Sequence, residues 1–386
     1  MRIAVVTGAR ADYGLIRPVL AAIADEPGWE LQLVVTAAHL APEFGLTVRQ
    51  IEEDGFPIAA RVESLVSSDT GEGAATSVGV GTIGSAQAFA RLLPDLVMLV
   101  GDRFEQLAAA QAALFIRLPM AHLYGGDLTQ GAFDDAIRHA ITKLAHLHFV
   151  SNSPARQRVI QLGEQPDRVF LVGSPAIDEM LTGPLLERDA LESELGIELG
   201  EKTALVTFHP ATLDDDRAND QLDEVLAAVA GVEDPLTVII TRANADPQGR
   251  AINRRIDEWL TRYPAWRVFD ALGPRRFHSL LRQVQVIVGN SSSGLYEAPT
   301  FDIPTVNVGD RQAGRLRATS VIDVAVERDA IRSGIERAMA TSWSGTVNPY
   351  GDGHATQRIM AVLRGVSNPR TLLHKQFYDL PAVSER

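Results

Sequence analysis

Along this chain, short and almost uniformly apolar runs alternate with longer stretches of helical period. IAVVTG, LQLVVTA, LVMLVGD, MAHLYGG and LHFVSN each read as a strand buried on both faces, and each precedes a segment able to form a helix. A strand without a polar face belongs in a sheet covered by helices on both sides. That predicts parallel strands, right-handed crossovers and a ligand crevice at the strands' carboxyl ends. A second series follows in RVFLVGSP, TALVTFHP, LTVIITRAN, WRVFDALG, VQVIVGNSSSG and IPTVNVGDRQ, and it predicts another open α/β sheet. The stretch GEQPDR, residues 163 to 168, supplies turn chemistry between the two. The expected organisation is a first domain over residues 1–165, a second over 166–365, and a tail over 366–386 whose amphipathic piece packs back on the first. Two doubly wound domains facing each other enclose one central cleft, where function is expected.

Length agrees, since 386 residues exceed a typical single domain about two- or threefold. Charge narrows the function: 36 Lys and Arg against 49 Asp and Glu leave −13, which argues against nucleic acid as a partner. An anionic ligand must therefore meet a local cluster of cations. The chain has no cysteine, so disulfides and thiolate chemistry are excluded, which fits a reducing compartment. The start MRIAVVTGARADYG reads as a first strand rather than a leader, and no window of 18 uninterrupted apolar residues suggests a membrane span. The expectation is a cytoplasmic protein.

Candidate chemistry sits where the strands end. VTGARADYG sets Gly8, Arg10 and Asp12 after the first strand, where a helix start offers free N–H groups and Arg10 is placed to meet a phosphate; Asp12 alone reads as a helix cap. LVGDRFEQ puts Asp102 and Arg103 at another strand end, a capping pair that is also a candidate acid or base beside a cation. In HLYGGDLTQGAFDDAIRHAITK, Asp127 precedes a helix carrying Asp134 or Asp135 in its first turn and Arg138 and His139 one turn later. Macrodipole pairing explains that order, and proton handling is the competing role. TFHPATLDDD ends a strand on His209, a phosphate donor or proton carrier at that position. GNSSSGLYE brings Ser291, Ser292 and a helix start to one anion-sized site; Glu297 follows to accept from a ribose diol, and Arg311 and Arg315 come after the next strand. No HExxH, CxxC, acidic calcium loop, GxSxG elbow or Walker A loop occurs.

Taken in order, GARADYG, GDRFEQLAA, GGDLTQGAFDDAIRHAITKLAH, FHPAT, GNSSSGLYEAP and VGDRQAGR resemble the hydrolysing UDP-N-acetylglucosamine 2-epimerases of sialic acid and related nonulosonate pathways. The resemblance covers most of residues 1 to 360. It implies a glycosyltransferase-B architecture, elimination of UDP across C1 and C2 of the sugar, and hydration of the glycal with inverted C2. It implies that Arg10, Arg103, His209, Ser291, Ser292 and Arg311 contact the nucleotide, with Glu297 on the ribose and Asn244 near it; Asp102 matches a catalytic acid and His39 a sugar-side position. It suggests a homodimer or homotetramer. Neither a cofactor nor a metal is expected, because arginines and a helix terminus can carry the diphosphate.

One position departs from the pattern. Where the sialic acid enzymes carry a catalytic glutamate, this chain has Tyr124 in the sugar site, and a phenol near pKa 10 is a poor carboxylate base at neutral pH. Asp102, Asp127 or Asp134 then does that work, or the substrate differs. Related enzymes acting on UDP-2,4-diacetamido-2,4,6-trideoxyhexose, in legionaminic acid synthesis, also lack the glutamate. A non-hydrolysing epimerase, a glycosyltransferase and a non-catalytic nucleotide-sugar sensor are the competing functions.

Overall fold

The computed structural model describes residues 1–66, 70–128, 134–209, 218–234, 236–243, 249–270 and 272–381. The chain divides into two compact units, Met1–Glu179 with Tyr350–Arg386, and Met180–Pro349. In the first, β1 (Arg2–Thr7), β2 (Glu30–Thr36), β3 (Ile58–Val62), β4 (Leu96–Val100), β5 (Met120–Leu123), β6 (Leu147–Val150) and β7 (Val169–Leu171) form a sheet in the order β3-β2-β1-β4-β5-β6-β7. In the second, β8 (Thr203–Thr207), β9 (Thr237–Thr241), β10 (Arg267–Phe269), β11 (Val286–Gly289), β12 (Thr305–Val308) and β13 (Val321–Val324) are ordered β10-β9-β8-β11-β12-β13. Every pairing is parallel. Each unit is Rossmann-like, and together they are the glycosyltransferase-B type of α/β protein.

The central strands explain the apolar runs. All five residues of β4 and of β8 are buried, with apolar side chains on both sheet faces packed under helices. Strand order reverses between β1 and β4 in the first sheet and between β8 and β11 in the second. At such a switch point the following loops part in opposite directions and leave a crevice beyond the carboxyl ends.

Two expected boundaries move. RVFLVGSP holds β7, which pairs with β6 through His148, Phe149 and Val150, so the strand expected to open the second domain is an edge of the first sheet. The helix Ala355–Arg364, expected in the second domain, belongs to the first unit. Asp178 Oδ1 and Oδ2 accept its leading N–H groups from Ala355 and Thr356 at 3.0 and 2.6 Å, and Ile359, Met360 and Leu363 join the core around β1. Among the described residues no helix is long and apolar enough to cross a membrane.

The tail is fastened by charge. Glu164 is buried and takes Lys143 Nζ at 2.6 Å, His148 Nε2 at 2.9 Å and Lys375 Nζ at 2.7 Å, while Lys375 also donates to the Lys143 and Ala145 carbonyls at 2.7 Å each. Burial alone would raise the Glu164 carboxyl, but these three donors outweigh it and hold it at about 2. We expect Lys375→Met to cost about 3 kcal/mol, because it leaves two carbonyls and part of a buried carboxylate without a donor. Lys143→Met, at a half-exposed end of the same network, should cost less. Urea unfolding of both variants checks this, and equal losses would contradict it.

Candidate functional site

At the first unit's switch point β1 runs into Gly8, and the helix Arg10–Asp25 begins two residues later. Arg10 is exposed in its first turn, and Asp12 is buried with Oδ2 accepting the Gly8 N–H at 3.4 Å. Beyond β4, Arg103 caps the helix Phe104–Ile116, and its Nε donates to Glu105 Oε1 at 2.6 Å. Gln106 locks the two strand ends together, accepting from Val100 N–H at 3.2 Å and donating to the Val6 carbonyl at 3.1 Å. Burial, then the Glu105 charge, push the Asp12 carboxyl up to about 7. Asp102 is ion-paired with the buried Arg138 of the helix Asp134–Leu144. Asp134 stands in that helix's first turn, its carboxyl raised by burial and then by the Asp102 charge. His139 lies 3.6 Å from Asp135 one turn earlier. The structure thus gathers Arg10, Asp12, Asp102, Arg103, Asp134 and Arg138 around the ends of β1 and β4.

The other candidates of this unit are tied more firmly to the scaffold. Asp127 accepts from Asn152 Nδ2 at 2.8 Å and Ser151 Oγ at 3.1 Å; burial raises its carboxyl, and the Arg138 charge works against that. Tyr124 has a left-handed backbone, φ +63°, uncommon for a non-glycine residue, and its hydroxyl shares a hydrogen bond of 2.9 Å with Ser174 Oγ. Burial raises the phenol, so it stays neutral across the physiological range. His39 is fully buried, with Nε2 3.0 Å from Thr7 Oγ1 and Nδ1 2.7 Å from Thr47 Oγ1, so both ring nitrogens are engaged by threonines. Burial holds it down at about 4, a neutral strut beneath the β1 turn.

At the second unit's switch point, between β8 and β11, Asn290 joins the two strand ends. Its Oδ1 accepts the His209 N–H at 2.8 Å and its Nδ2 donates to the His209 carbonyl at 2.8 Å. The approach is close enough that a side chain on Gly289, at φ +139°, would collide with the Thr207 carbonyl. Arg311 Nη1 at 3.1 Å and Gln312 Nε2 at 2.7 Å both donate to the Asn290 carbonyl, which brings Arg311 beside Ser291 and His209. The helix expected after the serines is a single turn, Ser293–Tyr296, followed by a 3-10 turn at Ala298–Phe301. Ser291 Oγ accepts the Ser293 N–H at 3.4 Å, and Ser292 sits at the cap. Glu297 ends that turn with His278 Nε2 3.8 Å from Oε1; its buried Oε2 has no hydrogen-bond partner among the described residues. Arg315 stacks over the Tyr296 ring at 5.4 Å and donates to Gln312. Asn244 falls outside the described residues.

Sequence patterns hid two contributors. Glu105 reads as a first-turn acid favouring the helix dipole, and Asn290 reads as a turn residue before serines. Only tertiary pairing shows that each organises a switch point. We expect Asn290→Ala, which leaves the buried His209 N–H and carbonyl without their amide partners, to cost about 2 kcal/mol of stability and to weaken binding of the UDP that the family resemblance implies about tenfold. Calorimetric titration checks this, and unchanged affinity would contradict it.

The family model described as UDP-N-acetylglucosamine 2-epimerase matches residues 21–364. Among curated proteins, the chain is 35% identical over 382 residues to the GDP/UDP-N,N'-diacetylbacillosamine 2-epimerase (hydrolyzing) of Campylobacter jejuni, covering 98% of this chain and 99% of that one. It is also 35% identical over 374 residues to the UDP-N,N'-diacetylbacillosamine 2-epimerase (hydrolyzing) of Legionella pneumophila, covering 97% and 98%. Among solved structures, the UDP-N-acetylglucosamine 2-epimerase of Neisseria meningitidis bound to UDP-GlcNAc shares its fold with a TM-score of 0.76 at 18% identity, covering 95% of this chain and 100% of that one. Nearly end-to-end agreement, together with two doubly wound sheets and their polar switch points, makes the chain a member of the UDP-N-acetylglucosamine 2-epimerase family.

Proposed function

We propose that this protein is a hydrolysing UDP-sugar 2-epimerase, converting a UDP-linked 2-acetamido sugar and water into UDP and the free sugar inverted at C2. The observation that carries the reading is the carboxylate cluster at the β1 and β4 ends, with Asp134 raised and Asp102 held by Arg138. A C2 proton is not acidic by itself. It can leave only as the C1–O bond to UDP breaks, so the enzyme needs a carboxylate at C2 and cations at the departing diphosphate.

Asp134 is the proposed base. Its raised proton affinity suits a group that must take a proton near neutral pH, while the Asp127 oxygens are occupied by Asn152 and Ser151, and Tyr124 is a neutral phenol. The electrons of the C2–H bond form the C1–C2 double bond, and those of the C1–O bond leave with UDP. In the second half, water oxygen bonds to C1 and a proton returns to C2 from the opposite face. That delivery needs a second carrier, which we assign to Asp102. Asp127 positions the β5 loop. Arg10 and Arg103 of the first unit and His209, Ser291, Ser292 and Arg311 of the second are each proposed as nucleotide contacts, with Glu297 on the ribose through its Oε2, which has no hydrogen-bond partner among the described residues. Asn244 is proposed near the nucleotide and His39 as a support for the sugar side. A cytoplasmic homodimer or homotetramer is the expected assembly.

For the sugar, we propose the 2,4-diacetamido-2,4,6-trideoxy type. Supporting this are Tyr124 in place of the glutamate and the activity named for the two relatives at 35% identity. The family description favours UDP-N-acetylglucosamine as the second reading. Released UDP, followed with both substrates, separates them: kcat/KM should favour the diacetamido sugar at least tenfold. A preference for UDP-N-acetylglucosamine would reverse the substrate assignment and leave the chemistry standing.

A further inference from the structure

Glu105 and Asp12 have no part in the chemistry above, yet both are buried at the strand end that presents Arg103. They flank Gly8 from two elements. Asp12 Oδ2 meets the Gly8 N–H, while the Glu105 side chain fills the space where a Gly8 Cβ would stand. Glu105 Oε1 is used by Arg103 Nε at 2.6 Å, but the buried Oε2 has no hydrogen-bond donor among the described residues. A buried carboxylate oxygen without a donor is costly. A second buried carboxyl beside it can supply the missing donor only as an acid.

We propose that Asp12 and Glu105 hold one proton between them and act as a positioning pair for Arg103, so that this cation faces the diphosphate backed by one negative charge instead of two. The inference rests on the UDP-sugar reading for the identity of the anion, and on the geometry at Gly8 for the pair itself. Two like charges buried together can both ionise only at large cost, so the second proton is retained. Burial and the neighbouring Glu105 charge place the Asp12 carboxyl near 7, in agreement. The other groups around the pair are Arg103, which favours ionisation, Asp102, which opposes it, and His39, which is neutral and bound to Thr7 and Thr47. The Asp134 charge also acts on Arg103. With one proton on the pair, Arg103, Asp12 and Glu105 together are neutral; without it they carry −1 and repel an incoming diphosphate.

The sign follows directly. Binding a diphosphate favours the protonated pair, so UDP affinity should weaken as pH rises through the pair's titration. UDP's own terminal phosphate, with a second pKa near 6, pushes the other way, so Asp12→Asn is the reference. Calorimetric titration of UDP at pH 6.5 and 8.5 should show wild-type affinity falling about tenfold relative to Asp12→Asn. Glu105→Gln should remove most of that difference. In parallel, carbon NMR of Asp- and Glu-labelled wild-type protein should show one carboxyl signal titrating near neutrality, lost in Asp12→Asn. Superposable pH profiles for wild type and Asp12→Asn, or no carboxyl titrating above pH 6, would overturn the pair. If wild type fails to bind UDP at either pH, the UDP-sugar reading fails, while the carboxyl signal still decides the pair. Should the variants not fold, assignment of the wild-type signal decides it: a near-neutral signal from Asp12 supports the pair, and one from Asp134 or Asp127 alone, whose carboxyls are also raised, overturns it.

Discussion

Asp134→Asn should lower kcat by about 10²–10⁴ while leaving the dissociation constant of UDP within about threefold of wild type. Asparagine keeps the shape and the helix position of Asp134 but cannot accept the C2 proton. Its loss should therefore appear in the chemical step rather than in nucleotide binding. Asp127→Asn makes a useful contrast. Asp127 accepts hydrogen bonds from Asn152 Nδ2 and Ser151 Oγ, and an amide can retain only some of them, so stability should fall along with activity. Single-turnover kinetics with the preferred UDP-sugar, paired with UDP calorimetry, separates these outcomes. If Asp134→Asn turned over at near the wild-type rate while Asp127→Asn did not, the two roles would have to be exchanged.

Acidification should unfold the first unit well before the carboxylates as a class titrate. Burial holds His39 at about 4, His122 at about 3 and His146 at about 4, each below the ordinary imidazole value of 6.5. Burial is the cause in each: His122, 2.7 Å from the Gly101 carbonyl and 3.1 Å from Thr142 Oγ1, stays low although that carbonyl favours the charged ring, and His146 Nδ1 accepts the Met120 N–H at 3.1 Å, which requires a neutral ring. A folded-state pKa below the unfolded one gives stability that is complete above about 6.5 and drains as pH falls, because the unfolded chain takes protons the folded chain refuses. At pH 5 each histidine accounts for roughly 2 kcal/mol, so the three together approach the whole stability of a typical domain. All three lie in the first unit. Hydrogen exchange at pH 7 and pH 5 should show protection lost in β4, β5 and β6 while β8 and β11 keep theirs. Equal loss in both sheets, or none, would contradict the assignment.

The central strands were legible because burial on both faces writes itself as a continuous apolar run. β3 and β13 were not, since each is an edge strand with alternate residues exposed, Arg61 and Asp323 among them, and a short half-polar segment has no distinctive period. β7 was found as a strand and assigned to the other sheet, because local pattern carries no record of which neighbour a strand pairs with. The return of the chain at Ala355 depends on Asp178 receiving N–H groups from residues far along the chain, a contact that no window of sequence contains. At the site, residue type and strand-end position pointed to Asp102, Arg103, Asp134, His209 and Arg311, which the switch-point geometry gathers in their own units. The family resemblance alone put His39 on the sugar side, and in the fold its two threonine partners tie it to the scaffold. Glu105 and Asn290 acquire meaning only through partners brought near by folding.

The central claim, hydrolytic epimerisation with proton exchange at C2, is tested most directly by proton NMR of the enzyme with its UDP-sugar in D₂O. The account predicts release of UDP, a free sugar of inverted C2 configuration, and deuterium at C2 of every product molecule, since the returning proton comes from solvent through an exchangeable carboxyl. A UDP-linked product would mean non-hydrolysing epimerisation, and a free sugar of unchanged configuration carrying its original C2 proton would mean simple hydrolysis without elimination. Either would contradict the account.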